Sequence, residues 1–554
     1  MNTGAPWPDL VEAESRVLVM QTKLHQWAIS EPDRCFDDLF NLVYDPAFLV
    51  VAWSRVRHNK GARTAGIDGV KPNSIVFGVE SLLSALRDDL KARRFQPQRV
   101  REKTIPKASG KVRRLGIPTV SDRVVQASLK LVLEPIFEAD FKPCSYGFRP
   151  KRRAQDAIAE IHFFGSRTYE WVFEADIEAC FDQIDHTALM ERVRRRIGDK
   201  RVTGLVKAFL RAGILGEDTK ARETITGTPQ GGILSPLLAN IALSVLDEHF
   251  TRKWEALGPE WTRAKHRRAG VPAMRIVRYA DDFVVMIAGT RADAEALHDE
   301  VSSVLAPMGL RLSEAKTKVC HIDEGFDFLG WHIQRRARRG QNGKRAVYTY
   351  PSKKSLASVM AKVRSLTARA KHRTLGDLLI SVNRVLRGWC NYFRHGVSSK
   401  TFGYLDHFTW WRIFGWLRKR HRGLSKGALV RRFLPRWQVR DGNIVMFRPR
   451  DIAIERYRYR GARIPTPWPS ETTGPPRHSG MTHGEPDAVR VACPVRRADR
   501  RNPPAETLTG RCGPTPTPTS PPARAGSTWR RSSISVRAAG WDIRWPITCG
   551  PNSS

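Results

Sequence analysis

Tyr279-Ala280-Asp281-Asp282 links two apolar runs, Met274–Val277 before it and Phe283–Ile287 after it. Two strand-length runs with so short a polar break predict a β-hairpin whose turn carries adjacent carboxylates. Side chains alternate along a strand and splay at its turn, so Asp281 can face a cation with Asp282 beside it. Asp-Asp at a turn is also ordinary turn chemistry. The metal reading therefore needs partners elsewhere in the chain.

A third carboxylate, Asp176, ends the run Trp171-Val172-Phe173-Glu174-Ala175, 105 residues before Asp281. A strand ending in Asp beside the hairpin would supply the shared ligand that a pair of metal ions requires. Hard oxygen donors suit magnesium, and two such ions can activate an attacking 3′-hydroxyl and neutralise a leaving pyrophosphate. Alone, Asp176 reads equally as a strand-end or helix-capping residue. Asp185, just before His186-Thr187-Ala188-Leu189, reads as such a cap, and His186 as a structural residue at a helix start. Between the acidic sites lies Gly227-Thr228-Pro229-Gln230-Gly231-Gly232, followed by Leu237, Ile241 and Val245 at helical spacing. The glycines permit close approach of backbone to a ligand, and Gln230 offers both a donor and an acceptor.

The 554 residues hold 94 Lys+Arg against 55 Asp+Glu, a net charge of +39. A charge this large attracts polyanions, and neutralised phosphates release counterions, so nucleic acid leads the list of partners. With 41% hydrophobic residues the chain can bury several cores, unlike small basic RNA-packing proteins; two to four domains fit the length. Apolar runs such as Phe48–Trp53 fall far short of the roughly 20 residues that span a bilayer, so no membrane partner is expected. Acidic Asp9, Glu12 and Glu14 leave no basic segment leading into an apolar one, so a cytoplasmic location is expected. Eight cysteines without a Cys-x-x-Cys pair argue against a disulfide framework or a zinc module.

From about residue 351 the pattern turns helical, with Leu375, Leu378, Leu379, Val382, Val385, Leu386, Trp389 and Phe393 marking one face. Farther on, aromatics interleave with bases in Trp410-Trp411-Arg412, Arg431-Arg432-Phe433 and Arg456-Tyr457-Arg458-Tyr459-Arg460. Such mixing fits two readings: a surface for nucleic-acid backbones and bases, or basic side chains snorkelling over buried rings. The last 94 residues hold 16 prolines, 13 Arg, six acidic residues and no Lys, including Pro514-Thr515-Pro516-Thr517-Pro518-Thr519. Such a segment cannot bury enough apolar surface to fold.

Asp176, Thr-Pro-Gln-Gly-Gly, Tyr-Ala-Asp-Asp, Gly309–Thr317 and Phe326–Trp331 occur in the order of reverse-transcriptase blocks. The chain resembles the reverse transcriptase-maturases encoded by bacterial group II introns. Asn59-Lys60-Gly61 with Gly66–Val70, Gly110–Pro118, Ser145–Pro150 and the thumb-like Asn383–Phe393 narrow the resemblance, which covers roughly residues 35 to 440. It implies an α/β (α+β) right-hand polymerase. An N-terminal extension (1–58) would precede fingers and palm (59–350), a helical thumb or maturase domain (351–425), a basic nucleic-acid-binding region (426–465) and a disordered tail (466–554).

The same resemblance implies roles. Asp176, Asp281 and Asp282 would hold two Mg2+ ions, and Tyr279 would lie beside the primer end. Lys111 and Arg113 would hold the triphosphate of the incoming deoxynucleotide, for which a bidentate guanidinium is suited. Gln230 would touch that nucleotide, and Lys316 would protonate the departing pyrophosphate. Phe181 would lie under the sugar and exclude a 2′-hydroxyl. The implied function is RNA-directed DNA synthesis together with binding of the intron RNA to assist its splicing. Template RNA, DNA primer and target DNA are the further partners, with nucleoid association when on DNA. The alternatives are a reverse transcriptase of a retron or diversity-generating element, against which Asn383–Phe393 argues, and a splicing-only protein, which gives no reason for three intact carboxylates. Isolated Cys493, Cys512 and Cys549 with unpartnered His478 and His483 predict no HNH nuclease.

Overall fold

The computed structural model describes residues 7–106, 112–216, 221–222, 226–228, 230–338, 343–369 and 374–468. Lys111, Pro229 and the tail from 469 onward lie outside the described residues. The hairpin read from the sequence is present: strand Ala273–Tyr279 pairs antiparallel with strand Asp282–Ala288. Trp171–Asp176 pairs with the far side of the second strand, and Lys318–His321 closes the four-stranded sheet.

The strand Asp282–Ala288 is apolar at nearly every position because it is buried on both faces, which a period-2 strand achieves by feeding alternate side chains to two cores. Phe283, Val285 and Ile287 join one core with Phe173 and Ala175. Val284, Met286 and Ala288 join the other with Val172. The first core continues into the N-terminal helices Leu10–Ser30 and Pro46–His58 and the helix Val120–Asp140. Residues 10–58 are thus integral to the packing of this first core.

The second core continues into the helices Lys353–Arg369, Leu375–Phe393 and Ser399–Arg420, so the thumb shares its apolar interior with one palm face. A second four-stranded sheet, the fingers, pairs Val100–Pro106 antiparallel with Val112–Ile117 and parallel with Ile214–Leu215, which Ala221–Arg222 extends. Among the described residues no helix is long and apolar enough to cross a membrane.

The run Arg456–Arg460 divides by side. Arg456 and Arg458 are exposed, while Tyr457 and Tyr459 turn inward. Tyr459 packs 4.6 Å from Phe163 by ring centroids, and Arg460 pairs with buried Asp156 at 2.9 Å. The chain runs on to Trp468, 3% exposed, whose indole donates to Gln21 of the first helix. Tyr457, Tyr459 and Trp468 therefore spend their rings on packing, and only the outward arginines remain available to a polyanion.

Candidate active site

Tyr279 and Asp282 face each other across the hairpin, leaving Ala280-Asp281 as its two-residue loop. Asp282 accordingly belongs to the strand, not the turn, and stands opposite Asp176 on the neighbouring strand. Ala280 adopts a left-handed backbone, φ 59°, at a cost of about 1 kcal/mol for a residue with a Cβ. Two neighbours hold it there. A Cβ on Gly147 would lie 2.3 Å from the Ala280 nitrogen, so only glycine lets the segment after Ser145 cross the turn. Arg278, fully buried, donates to the Ala280 carbonyl at 2.9 Å.

The remaining donors of Arg278 reach Asp247 in a bidentate pair, Asn240 at 3.0 Å and Ser145 Oγ at 2.8 Å. Asn240 in turn donates to the Gly147 carbonyl at 2.8 Å. Burial works against charge on Arg278, but Asp247 outweighs it and raises the guanidinium pKa above its ordinary value. The helix Ser235–Ala256, which starts just after the Gly231-Gly232 loop, is therefore tied through Asn240 and Asp247 to the underside of the hairpin. Ser145 and Gly147 fall in the Ser145–Pro150 segment and Asn240 on the glycine-loop helix, both legible in the sequence, whereas Arg278 and Asp247 were not singled out.

Neighbouring negative charge opposes the ionisation of Asp281 and Asp282. Burial, then the charge of Asp176, raises the pKa of Asp281. Asp282 is pushed up to about 6 by loss of surrounding water, then by Asp281 and Asp176. The loop 309–317 runs beside Asp176, whose carbonyl accepts from Ser313 N at 2.8 Å, and it delivers Lys316 into an ion pair with the Asp176 carboxylate. That contact raises the lysine pKa. Among the described residues no three of His, Cys, Asp and Glu are grouped so as to hold a metal ion by themselves. An open, all-oxygen set with unmet negative charge still fits magnesium, which keeps several waters and completes its shell with substrate phosphates. The Lys316 ammonium on Asp176 marks where positive charge is wanted.

Phe181 lies in the turn Cys180–Gln183 that follows Asp176 and is partly packed against the first core. Its carbonyl accepts from Thr228 N at 2.6 Å, and a Cβ on Gly227 would lie 2.6 Å from that oxygen. Gln230 bridges palm and fingers: its Oε1 accepts from Arg113 Nε at 3.0 Å and its Nε2 donates to Asp182 Oδ2 at 3.2 Å. Its backbone carbonyl also accepts from Gly116 N at 2.7 Å. Asp182 thus joins Phe181, Gln230 and Arg113 in one polar and aromatic ledge; the sequence reading passed over it because its partner Gln230 is 48 residues away. His186 bonds the Gly227 carbonyl at 2.6 Å and Asp185 caps its helix by accepting from Ala188 N, so both support this loop. Tyr279 is half-buried, with its phenol pKa raised by burial.

Residues 105–333 match the reverse transcriptase (RNA-dependent DNA polymerase) family, and residues 356–437 match the group II intron maturase-specific domain. The group II intron-encoded protein LtrA of Lactococcus lactis subsp. cremoris is 31% identical over 471 residues, spanning 71% of this chain and 76% of LtrA. Protein YkfC of Escherichia coli K12 is 37% identical over 371 residues, 62% of this chain and 97% of that protein. A putative COX1/OXI3 intron 2 protein of Saccharomyces cerevisiae is 25% identical over 412 residues, 66% of this chain and 45% of its own length. The two domains in this order, on a fingers-palm body with a helical thumb, make the chain a member of the group II intron-encoded reverse transcriptases that carry a maturase domain.

Proposed function

We propose that the family's polymerase chemistry takes place on the ledge between Asp176, the Tyr279–Asp282 hairpin and Arg113. The observation that carries this reading is the pairing of Asp176 with Asp282 across adjacent strands, with Asp281 on the loop beside them and the cation Lys316 drawn onto the cluster. Asp176, Asp281 and Asp282 would hold two Mg2+ ions, which when bound activate the primer 3′-hydroxyl and neutralise the leaving pyrophosphate. Arg113, with Lys111 two residues before it in the sequence, binds the triphosphate. Arg113 exchanges its Gln230 contact for phosphate as the nucleotide enters, and Asp182 keeps the Gln230 amide oriented towards the base and sugar. Phe181 closes the space that a 2′-hydroxyl needs, which selects deoxynucleotides. Lys316, kept protonated by Asp176, donates its proton to the departing pyrophosphate. Tyr279 supports the primer end.

The maturase domain binds the intron RNA and supports its compact fold; the RNA performs the splicing chemistry while Lys and Arg neutralise phosphates. Target DNA then serves retromobility, in the cytoplasm and at the nucleoid. The test is the purified chain with the RNA that flanks its own coding sequence, assayed for splicing at low magnesium and for primer extension on an RNA template. Both activities are expected. Unchanged primer extension by Asp281→Ala would remove the carboxylates from the active site.

A further inference from the structure

Helix Ser399–Arg420 and the turn Pro435–Trp437 together carry an aromatic cluster that the polymerase chemistry does not use. Trp410 stacks on Phe414 at 5.2 Å with the planes 18° apart, and Trp411 meets both edge-on. Trp437 comes from a separate turn and lies 6.0 Å from Trp410. These rings border a groove of about 500 Å3, within the range of ligand pockets. Its remaining walls include Lys426 and Arg431, and no acidic residue lines it.

Two features mark the groove as built for a ligand. Trp411 is 53% exposed and Trp437 66% exposed, although large aromatic rings ordinarily bury most of their surface. Arg436 and Trp437 are also consecutive non-glycine residues with left-handed backbones, φ 52° and 62°. Each such residue costs about 1 kcal/mol or more, and strain of this kind concentrates where a side chain must be presented. The Trp410 indole donates to the Trp437 carbonyl at 3.1 Å and so holds the strained turn against the cluster.

We infer that this groove captures an unpaired nucleobase of single-stranded RNA, stacking it against the tryptophans while Lys426 and Arg431 take the flanking phosphates. This rests on the RNA-binding reading of the maturase domain and specifies where a splayed base is held. Every base offers a π-face, so stacking needs no sequence code, and bases in RNA loops are free to swing out. An aromatic groove also suits proline-rich peptide, and this chain contains Pro514–Thr519. The basic rim speaks against that occupant, since the surrounding tail is itself Arg-rich.

The test uses the full chain with a 12-nucleotide oligoadenylate, the same length of 5-iodouridine-substituted oligouridylate for photocrosslinking, and a synthetic peptide of residues 510–522. Trp437→Ala is expected to weaken oligoadenylate binding about tenfold, whereas Trp437→Phe keeps most of it. Crosslinks are expected at Trp411 or Trp437. Primer extension by both variants should match the unaltered chain, which also certifies folding. Equal binding by Trp437→Ala and the unaltered chain, with crosslinks elsewhere, would overturn the groove while leaving the maturase reading intact. Failure of the unaltered chain to bind intron RNA would instead overturn the maturase reading. Peptide binding that is lost in Trp437→Ala while RNA binding persists would assign the groove to the tail and contradict the inference.

Discussion

Ala280 in the palm and Arg436 near the end of the segment matching the maturase-specific domain are both non-glycine residues with left-handed backbone, yet their surroundings differ completely. Ala280 is enclosed: Gly147 crosses it, Arg278 holds its carbonyl, and Asp247 neutralises that arginine out of reach of water. Arg436 sits at an exposed turn closed by its own backbone, Trp437 N donating to the Leu434 carbonyl at 2.9 Å and Gln438 N to the Pro435 carbonyl at 3.1 Å, with the Trp410 indole on the Trp437 carbonyl. On the proposed reading phosphoryl transfer would tolerate little displacement of Asp176, Asp281 and Asp282, and the buried groups around the palm turn suit that demand. A surface that receives a flexible RNA strand gains from exposed rings, and its turn is held by local bonds at the solvent boundary. The same backbone conformation thus serves fixed geometry in one region and presentation in the other.

The sharpest way to break this contrast is Arg278→Met. It leaves Asp247 charged, buried and unpaired, a loss of about 3–5 kcal/mol in denaturant unfolding. Primer extension should fall about a hundredfold as the hairpin loses its clamp. Pairing it with Asp247→Leu should recover most of the stability without recovering extension. Recovery of both would make the network purely a stability element.

Asp199 provides a control whose hydrogen-bond partners belong to neither region. It caps the helix Lys200–Arg211, accepts from Leu39 N and Phe40 N, and pairs with Arg201. Burial alone would raise its pKa, but these donors hold it down at about 2. A depressed carboxylate contributes stability above its unfolded pKa near 4, and that contribution disappears as pH falls towards 2. Asp199→Asn should therefore cost about 2 kcal/mol at pH 7 and progressively less between pH 4 and 2, read by thermal or denaturant unfolding. Polymerisation and RNA binding should change only through the folded fraction.

The smallest expected effect is one of selectivity. Phe181→Ala should raise ribonucleotide over deoxynucleotide incorporation about tenfold, the scale on which a pocket discriminates one small group. No rise in primer-extension assays would remove Phe181 from the sugar gate, while oligoadenylate binding at the thumb should not move in either case.

What the sequence disclosed depended on how local each signal was. The hairpin, the strand ending in Asp176 and the helix Leu375–Phe393 follow from periodicity within a dozen residues. The placement of Asp282 in the strand was not legible, because a two-residue loop containing alanine has no favourable turn chemistry of its own. It exists through Arg278, Gly147 and Asn240, which come from three separate segments. Asp182 escaped for the same reason, its meaning residing in a bond to Gln230. The aromatic-basic runs were equally ambiguous on paper. Their fates separated only in three dimensions, Tyr459 against Phe163 in the interior and Trp437 open to solvent.

The most direct measurement places Asp281→Ala and Trp437→Ala side by side in two assays, primer extension on an RNA template and binding of oligoadenylate. Asp281→Ala should lose extension and keep RNA binding, whereas Trp437→Ala should keep extension and bind RNA about tenfold more weakly. Loss of both activities in either variant, or extension surviving in Asp281→Ala, would contradict the division of labour between palm and thumb.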